Sequence, residues 1–203
     1  YVGVLAALLD LDMGVIKQLL NEQFAAKAGL LDANQKAIDL GYAYAKEHFT
    51  CPLPFRARTL DKTRDHIMID GNTTAGLGCL FAGATVGAWY PITPSTSVMD
   101  SFKRFCEKYR KDPETGKANY CIIQAEDELG AIGMVLGASW NGARSFTPTS
   151  GPGISLMNEF LGYGYFTEIP AVLFDVQRCG PSTGMPTRTQ QADLMACAYA
   201  SHG

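Results

Sequence analysis

Four short segments carry residue types that chemistry uses: Tyr90-Pro-Ile-Thr-Pro-Ser95, Gln124-Ala-Glu-Asp-Glu128, Thr149-Ser-Gly-Pro-Gly153 and Gln177-Arg-Cys-Gly-Pro-Ser-Thr183. Glu128 closes a run of three acids. Its carboxyl can exchange a proton with a ligand, or it can stand at a helix start, where the macrodipole favours acids for structural reasons alone. Arg178 follows an apolar run, and its planar fork suits a ligand carboxylate as well as an ion pair with a neighbour. Thr93 offers a hydroxyl to a ligand or simply shapes a turn. Ser150 and Gly151 open a segment whose backbone N–H groups could receive an anion ahead of a helix, although a tight turn explains the same residues.

Something must hold these segments together. Each follows an apolar stretch that reads as a strand: 85–90, 120–124, 144–149 and 171–177. Helical patterns lie between and around them, over 73–82, 98–109, 129–140 and 154–166. This alternation predicts an α/β fold, a parallel sheet with helices on its faces. In such a sheet, functional residues collect in loops past the carboxyl ends of the strands, and the convergence of four loops is a stronger sign than any one of them. The helix read over 129–140 is unusually rich in small residues, with Gly130, Ala131, Gly133, Gly137, Ala138, Gly142 and Ala143 in and just after it. A glycine inside a helix costs about 1 kcal/mol relative to alanine. Close approach of a cofactor or partner accounts for so many, and so does tight packing on the chain's own sheet.

Ahead of the alternating region, residues 1–50 read as a helical hairpin. Asp12 caps a helix bearing Val15, Ile16, Leu19, Leu20 and Phe24 on one face, and Asp32 with Gln35 has capping-box spacing for a second. Residues 51–66 read as a linker, with Pro52 and Pro54 followed by Arg56, Arg58, Asp61, Lys62, Arg64 and Asp65. A second domain then occupies 67–203.

Composition narrows the function. A net charge of -3, from 17 basic and 20 acidic residues, argues against nucleic acid, which needs a basic patch. The uncharged run 71–99 is broken by Pro91 and Pro94, so a buried core is expected and not a membrane span. The six cysteines include no C-x-x-C and read as reduced core residues of a cytoplasmic protein. Gly76-Leu-Gly78 does not extend to a G-x-G-x-x-G pattern, His48, His66 and His202 have no metal-ligand spacing, and no Walker loop, G-x-S-x-G or H-E-x-x-H occurs. The chain opens on Tyr1 without a secretory signal, and both ends are expected to be cuts through a longer chain.

Five motifs in order, Asp70-Gly71-Asn72, Tyr90-Pro-Ile-Thr-Pro94, Gln124-Ala-Glu-Asp-Glu-Leu129, Thr149-Ser-Gly-Pro-Gly153 and Gln177-Arg-Cys-Gly-Pro-Ser-Thr-Gly184, resemble the α subunit of 2-oxoacid:ferredoxin oxidoreductases, of the 2-oxoglutarate-using type. Pro186-Thr187 and Gln191-Ala-Asp-Leu194 continue the likeness, which runs from about residue 67 to the end. The opening helices resemble the end of the γ domain that many members fuse ahead of α. The resemblance implies a thiamine-diphosphate-binding fold (its pyrimidine-binding domain) with Glu128 as the acid beside N1′ of the aminopyrimidine, where its proton favours the imino form that removes the C2 proton. It implies that Tyr90, Pro91, Ile92, Ser150 and Gly151 line the cofactor and that Thr93 and Arg178 bind oxoacid carboxylate groups.

The implied reaction is oxidative decarboxylation of a 2-oxoacid, with single electrons passing through an iron–sulfur cluster to ferredoxin and the acyl group to coenzyme A. The chain has no Gly-Asp-Gly motif and no cluster cysteines. The resemblance assigns these, with Mg2+ and the diphosphate contacts, to a β subunit that shares the thiamine diphosphate, so a monomer is not expected to be active. Specificity for pyruvate or a branched-chain oxoacid, a transketolase-like half-enzyme and a non-catalytic scaffold subunit are the competing readings.

Overall fold

The computed structural model describes residues 1–51, 54–58, 60–178 and 193–200. Pro52 of the expected linker and the whole segment from Cys179 to Ala192, including Pro186-Thr187, lie outside them. The chain forms two units, Tyr1–Ile67 and Met68–Gly203. Among the described residues no helix is long and apolar enough to cross a membrane.

The first unit holds α1 (Val2–Leu9), α2 (Met13–Phe24) and α3 (Ala28–His48). Asp12 caps α2 as expected, its Oδ1 accepting from the Gly14 and Val15 N–H groups at 2.7 and 3.4 Å. Two features differ from the sequence reading. A further helix, α1, precedes Asp12 and packs on α3 through small buried residues, Ala6 and Ala45 among them. Asp32 does not cap, because α3 already begins at Ala28, with Leu30 and Leu31 N–H bonded to Lys27 O. Inside the helix Asp32 instead meets Lys36 one turn on, at 2.7 Å.

The second unit runs α4 (Gly71–Phe81), β1 (Val86–Trp89), α5 (Thr96–Tyr109), β2 (Cys121–Gln124), α6 (Glu128–Trp140), β3 (Ser145–Thr149), α7 (Gly151–Thr167), β4 (Val172–Asp175) and α8 (Leu194–Ala198). The strands form one sheet in the order β2-β1-β3-β4, every pairing parallel. The expected α/β architecture is therefore present, and its four strands fall within the segments read from the sequence.

Each sheet face buries its own core. Val98, Met99, Phe102 and Cys106 of α5 pack with Cys79 and Leu80 of α4 and with Phe146 of β3. Phe102 and Phe146 meet edge-on at 4.8 Å. Ala131, Ile132, Val135 and Leu136 of α6 pack with Ala88 of β1 and Met157 of α7. Burying each large side chain stabilises the fold by about 1.5–3 kcal/mol relative to leaving it in water. Cys79 and Cys106 are core residues as expected, whereas Cys121 is exposed.

The small residues of α6 divide between the two explanations. Ala131 packs on the sheet and Gly133 lies under the Phe160 ring, but nothing stands within 4 Å of a Cβ built at Gly137. Since all four strands point one way, the loops after them share one edge. The order changes direction between β1 and β3, and the crevice of such a sheet opens at that point.

Candidate functional site

The β1 and β3 loops flank this crevice, and both are held by hydrogen bonds from outside their own strands. After β1 the chain passes Tyr90, Pro91 and Ile92 to a cis Thr93–Pro94 peptide and into α5. The Ile92 carbonyl accepts from Ser95 N at 2.8 Å, Ser95 Oγ at 2.9 Å and Thr96 N at 3.2 Å, which closes the turn. Asn72, in the first turn of α4, donates to Pro94 O at 2.9 Å and to Ser97 Oγ at 2.8 Å. Asp70 holds that turn by accepting from Thr73 N and Thr73 Oγ1, bonds that keep its carboxyl below the usual range. The Asp70-Gly71-Asn72 motif thus anchors a site loop.

Glu128 is the first residue of α6. Asp127 takes the cap position, its Oδ1 accepting from Gly130 N at 2.6 Å. The structural reason for an acid at a helix start is therefore met by Asp127, and Glu128 is left for another use. It is 6 % exposed, and its carboxylate takes part in no hydrogen bond or ion pair among the described residues.

Glu128 lies against β3 and α7. A Cβ added at Gly153 would collide with Thr149 Oγ1 and come within 3.0 Å of Glu128 Cγ. Thr149 Oγ1 is itself buried without a hydrogen-bond partner. Glycine at 153 thus lets α7, β3 and Glu128 converge. Ser150 caps α7 through its backbone and is fully buried, with its Oγ 3.4 Å from Thr93 O.

The expected backbone anion site at Ser150 and Gly151 is largely spent within the protein. Gly151 N donates to Arg178 O at 3.0 Å, Gly153 N donates to Ser150 O at 2.8 Å, and Pro152 has no N–H. These residues shape the floor of the crevice more than they offer donors to it.

Arg178 is 7 % exposed, and its Nη1 donates to Thr93 O at 2.8 Å, which spans the crevice. Its Nε is buried and unpartnered. Thr93 and Arg178, paired from the sequence as carboxylate ligands, are thus brought together, through the Thr93 carbonyl. The Thr93 side chain is exposed at the rim, beside Tyr90 and Pro91.

Three groups here were not singled out as site residues from the sequence. Asp193, buried, accepts from Arg178 N at 2.9 Å. Cys197 donates its thiol to Asp175 at 3.1 Å. Burial, with the nearby Asp193 carboxyl adding to it, pushes Asp175 up to about 6, and burial beside Asp175 pushes the Cys197 thiol up to about 12. Asp193 lies 15 positions beyond Arg178, and no local pattern pairs the two.

An apolar cavity of about 420 Å³ lies at the opposite edge of the sheet, between Ala75, Gly78, Ala84, Arg144, Ala171 and Phe174. It shares no residue with the four loops.

The profile of the family described as pyruvate flavodoxin/ferredoxin oxidoreductase, thiamine diP-bdg, matches residues 77–202. The 2-oxoglutarate synthase subunit KorA of Methanocaldococcus jannaschii is 46% identical over 135 residues, covering 66% of this chain and 34% of its own length. The 2-oxoglutarate oxidoreductase subunit KorA of Mycobacterium tuberculosis is 36% identical over 208 residues, 99% of this chain and 30% of its own. A solved 2-oxoglutarate:ferredoxin oxidoreductase from Magnetococcus marinus, with 2-oxoglutarate, coenzyme A and succinyl-CoA bound, superposes with a TM-score of 0.75 at 38% identity, covering 100% of this chain and 34% of that one. The chain spans about a third of the length of these relatives.

Proposed function

Because the chain belongs to the pyruvate flavodoxin/ferredoxin oxidoreductase family through its thiamine-diphosphate-binding domain, we propose that it forms the pyrimidine-binding half of a thiamine-diphosphate site in a 2-oxoacid:ferredoxin oxidoreductase acting on 2-oxoglutarate. The observation that carries this reading is Glu128, 6 % exposed and without a partner among the described residues, beside the unpartnered Thr149 hydroxyl where α7 and β3 meet. Those groups fit an aminopyrimidine, which presents a ring nitrogen to a carboxyl and an amino group to an acceptor.

When bound, thiamine diphosphate supplies a carbon nucleophile for the 2-oxo carbon of the substrate. Glu128 would hold a proton at N1′ of the pyrimidine. Ile92, Ser150 and Gly151 would shape the surface beneath the ring, with Tyr90 and Pro91 at its rim. Arg178, charged and tethered to Thr93, would receive a carboxylate of the oxoacid, with the Thr93 hydroxyl beside it. The choice of 2-oxoglutarate rests on the names of the relatives and on what the Magnetococcus marinus structure holds.

The remaining parts belong to other components. A β subunit would bring the diphosphate contacts, Mg2+ and the iron–sulfur cluster, with coenzyme A as acyl acceptor and ferredoxin as electron acceptor, in the cytoplasm. The likeness to longer relatives that includes residues 1–50 supports reading those helices as the end of a fused γ domain. The test is an anaerobic assay of the full-length subunit with its β partner, following coenzyme-A-dependent dye reduction with 2-oxoglutarate and with pyruvate. Reduction with 2-oxoglutarate in preference to pyruvate supports the reading. Reduction with neither would leave the subunit without the proposed activity.

A further inference from the structure

We infer that Asp193 is a positioning residue for Arg178, acting on its main chain. The inference rests on the reading of Arg178 as the oxoacid carboxylate ligand.

Arg178 lies past the end of β4, where no sheet bonding fixes the backbone. Two contacts replace it. Asp193 Oδ2 accepts from Arg178 N at 2.9 Å, and Gly151 N donates to Arg178 O at 3.0 Å. The peptide groups on both sides of the Arg178 Cα are thereby gripped, one by a carboxylate and one by the start of α7. The two grips are also packed together: a Cβ at Gly151 would collide with Arg178 O and lie 2.9 Å from Asp193 Oδ2 and 3.1 Å from Asp193 Cβ. From this held backbone the side chain crosses to Thr93 O at 2.8 Å.

Asp193 is 5 % exposed beside the Asp175 carboxyl, and of its two carboxylate oxygens only Oδ2 has a hydrogen-bond partner among the described residues, the Arg178 N–H. A backbone N–H that donates to a carboxylate oxygen makes a stronger bond than one that donates to a neutral carbonyl. Asp193 makes no described contact with the Arg178 guanidinium. Its effect on substrate is therefore indirect, setting where the guanidinium starts from. Asp175 and Cys197 face Asp193 from β4 and α8, and Arg178 is the described cation of this group.

The test uses the full-length subunit assembled with its partner and cofactor, with 2-oxoglutarate as the varied substrate. The variants are Asp193→Ala, Asp193→Asn, Arg178→Gln and the Asp193→Ala/Arg178→Gln double. Asp193→Ala is expected to raise KM for 2-oxoglutarate about tenfold while leaving KM for coenzyme A unchanged. Asp193→Asn keeps an oxygen that can accept the same N–H and is expected to stay within about threefold of wild type. The double variant is expected to match Arg178→Gln alone, since a misplaced guanidinium that is already gone cannot be lost again.

A fall in kcat or active fraction with unchanged KM would assign Asp193 a merely structural role and overturn the proposal. Multiplying effects in the double variant would overturn it equally, because Asp193 would then act without Arg178. If Asp193→Ala does not assemble, Asp193→Glu, which moves the acceptor by one methylene, is expected to show the same rise in KM, and an unchanged KM there would refute it. An Arg178→Gln variant with normal KM would remove the carboxylate-ligand reading itself, a result separable from a failure at Asp193.

Discussion

Substituting Gly153 by alanine sets two opposed effects against each other. Alanine gains about 1 kcal/mol over glycine in a helix interior. At this position, however, the new Cβ would collide with Thr149 Oγ1 and stand 3.0 Å from Glu128 Cγ, and neither can retreat easily. Thr149 ends a central strand and is fully buried, and Glu128 is 6 % exposed. Overpacking of this kind costs about 1–3 kcal/mol, so after the propensity gain Gly153→Ala is expected to destabilise by about 0–2 kcal/mol net. Because the displaced groups include Glu128, activity should fall by more than the loss of folded protein explains.

Chemical denaturation of the full-length subunit measures the first quantity, and turnover per bound cofactor the second. Gly137→Ala is the internal control. Nothing lies within 4 Å of its added Cβ, so only the propensity gain remains and the variant should be more stable than wild type. Removing the obstructing hydroxyl with Thr149→Ala should make Gly153→Ala less damaging, with a coupling of about 1 kcal/mol. A Gly153→Ala protein as stable and active as wild type, or no coupling to Thr149, would refute the reasoning.

Asp12→Ala removes the cap of α2 and should cost about 1 kcal/mol by denaturation, with its effect confined to amide exchange in the first unit. Asn72→Ala removes one bond to Pro94 in the β1 loop and one to Ser97 in the first turn of α5, costing about 1–2 kcal/mol, and should speed exchange at Ser95 and Thr96 more than in β3. Asp175 predicts a pH effect. Below 3.8 folded and unfolded chains both hold its proton; between 3.8 and about 6 only the folded chain does, so stability falls as pH rises; above that range the cost of the buried charge is complete. Asp175→Asn should therefore raise Tm at pH 7 and leave it nearly unchanged at the acid end of the window, a difference that melting curves across pH would record.

Much of this arrangement was legible in the sequence because short apolar strands bounded by glycine, proline and polar loops leave few alternatives to a parallel sheet. β1 stops at Trp89, just before Tyr90-Pro91, and β3 at Thr149, just before Ser150, and the turn chemistry marks both. The first unit was less legible. Val2–Leu9 is apolar almost throughout, so it shows no helical stripe, and Asp32 has the spacing of a cap but lies in the second turn of α3. The sequence also offered a backbone anion site at Ser150 and Gly151, whose donors the fold uses on Arg178 and Ser150. Contacts across the chain, such as Asp193 with Arg178 or Arg178 with Thr93, leave no periodic trace, and only the assembled sheet brings them together.

The central claim is that the Glu128 carboxyl activates bound thiamine diphosphate, and the most direct measurement is deuterium exchange at the cofactor's C2, followed by NMR after acid quench, in wild-type holoenzyme and in Glu128→Gln. Loss of a positioned general acid costs about 10²–10⁴-fold, so exchange should slow by that factor in the variant, with cofactor still bound. Exchange at the wild-type rate in a loaded Glu128→Gln enzyme would contradict the account.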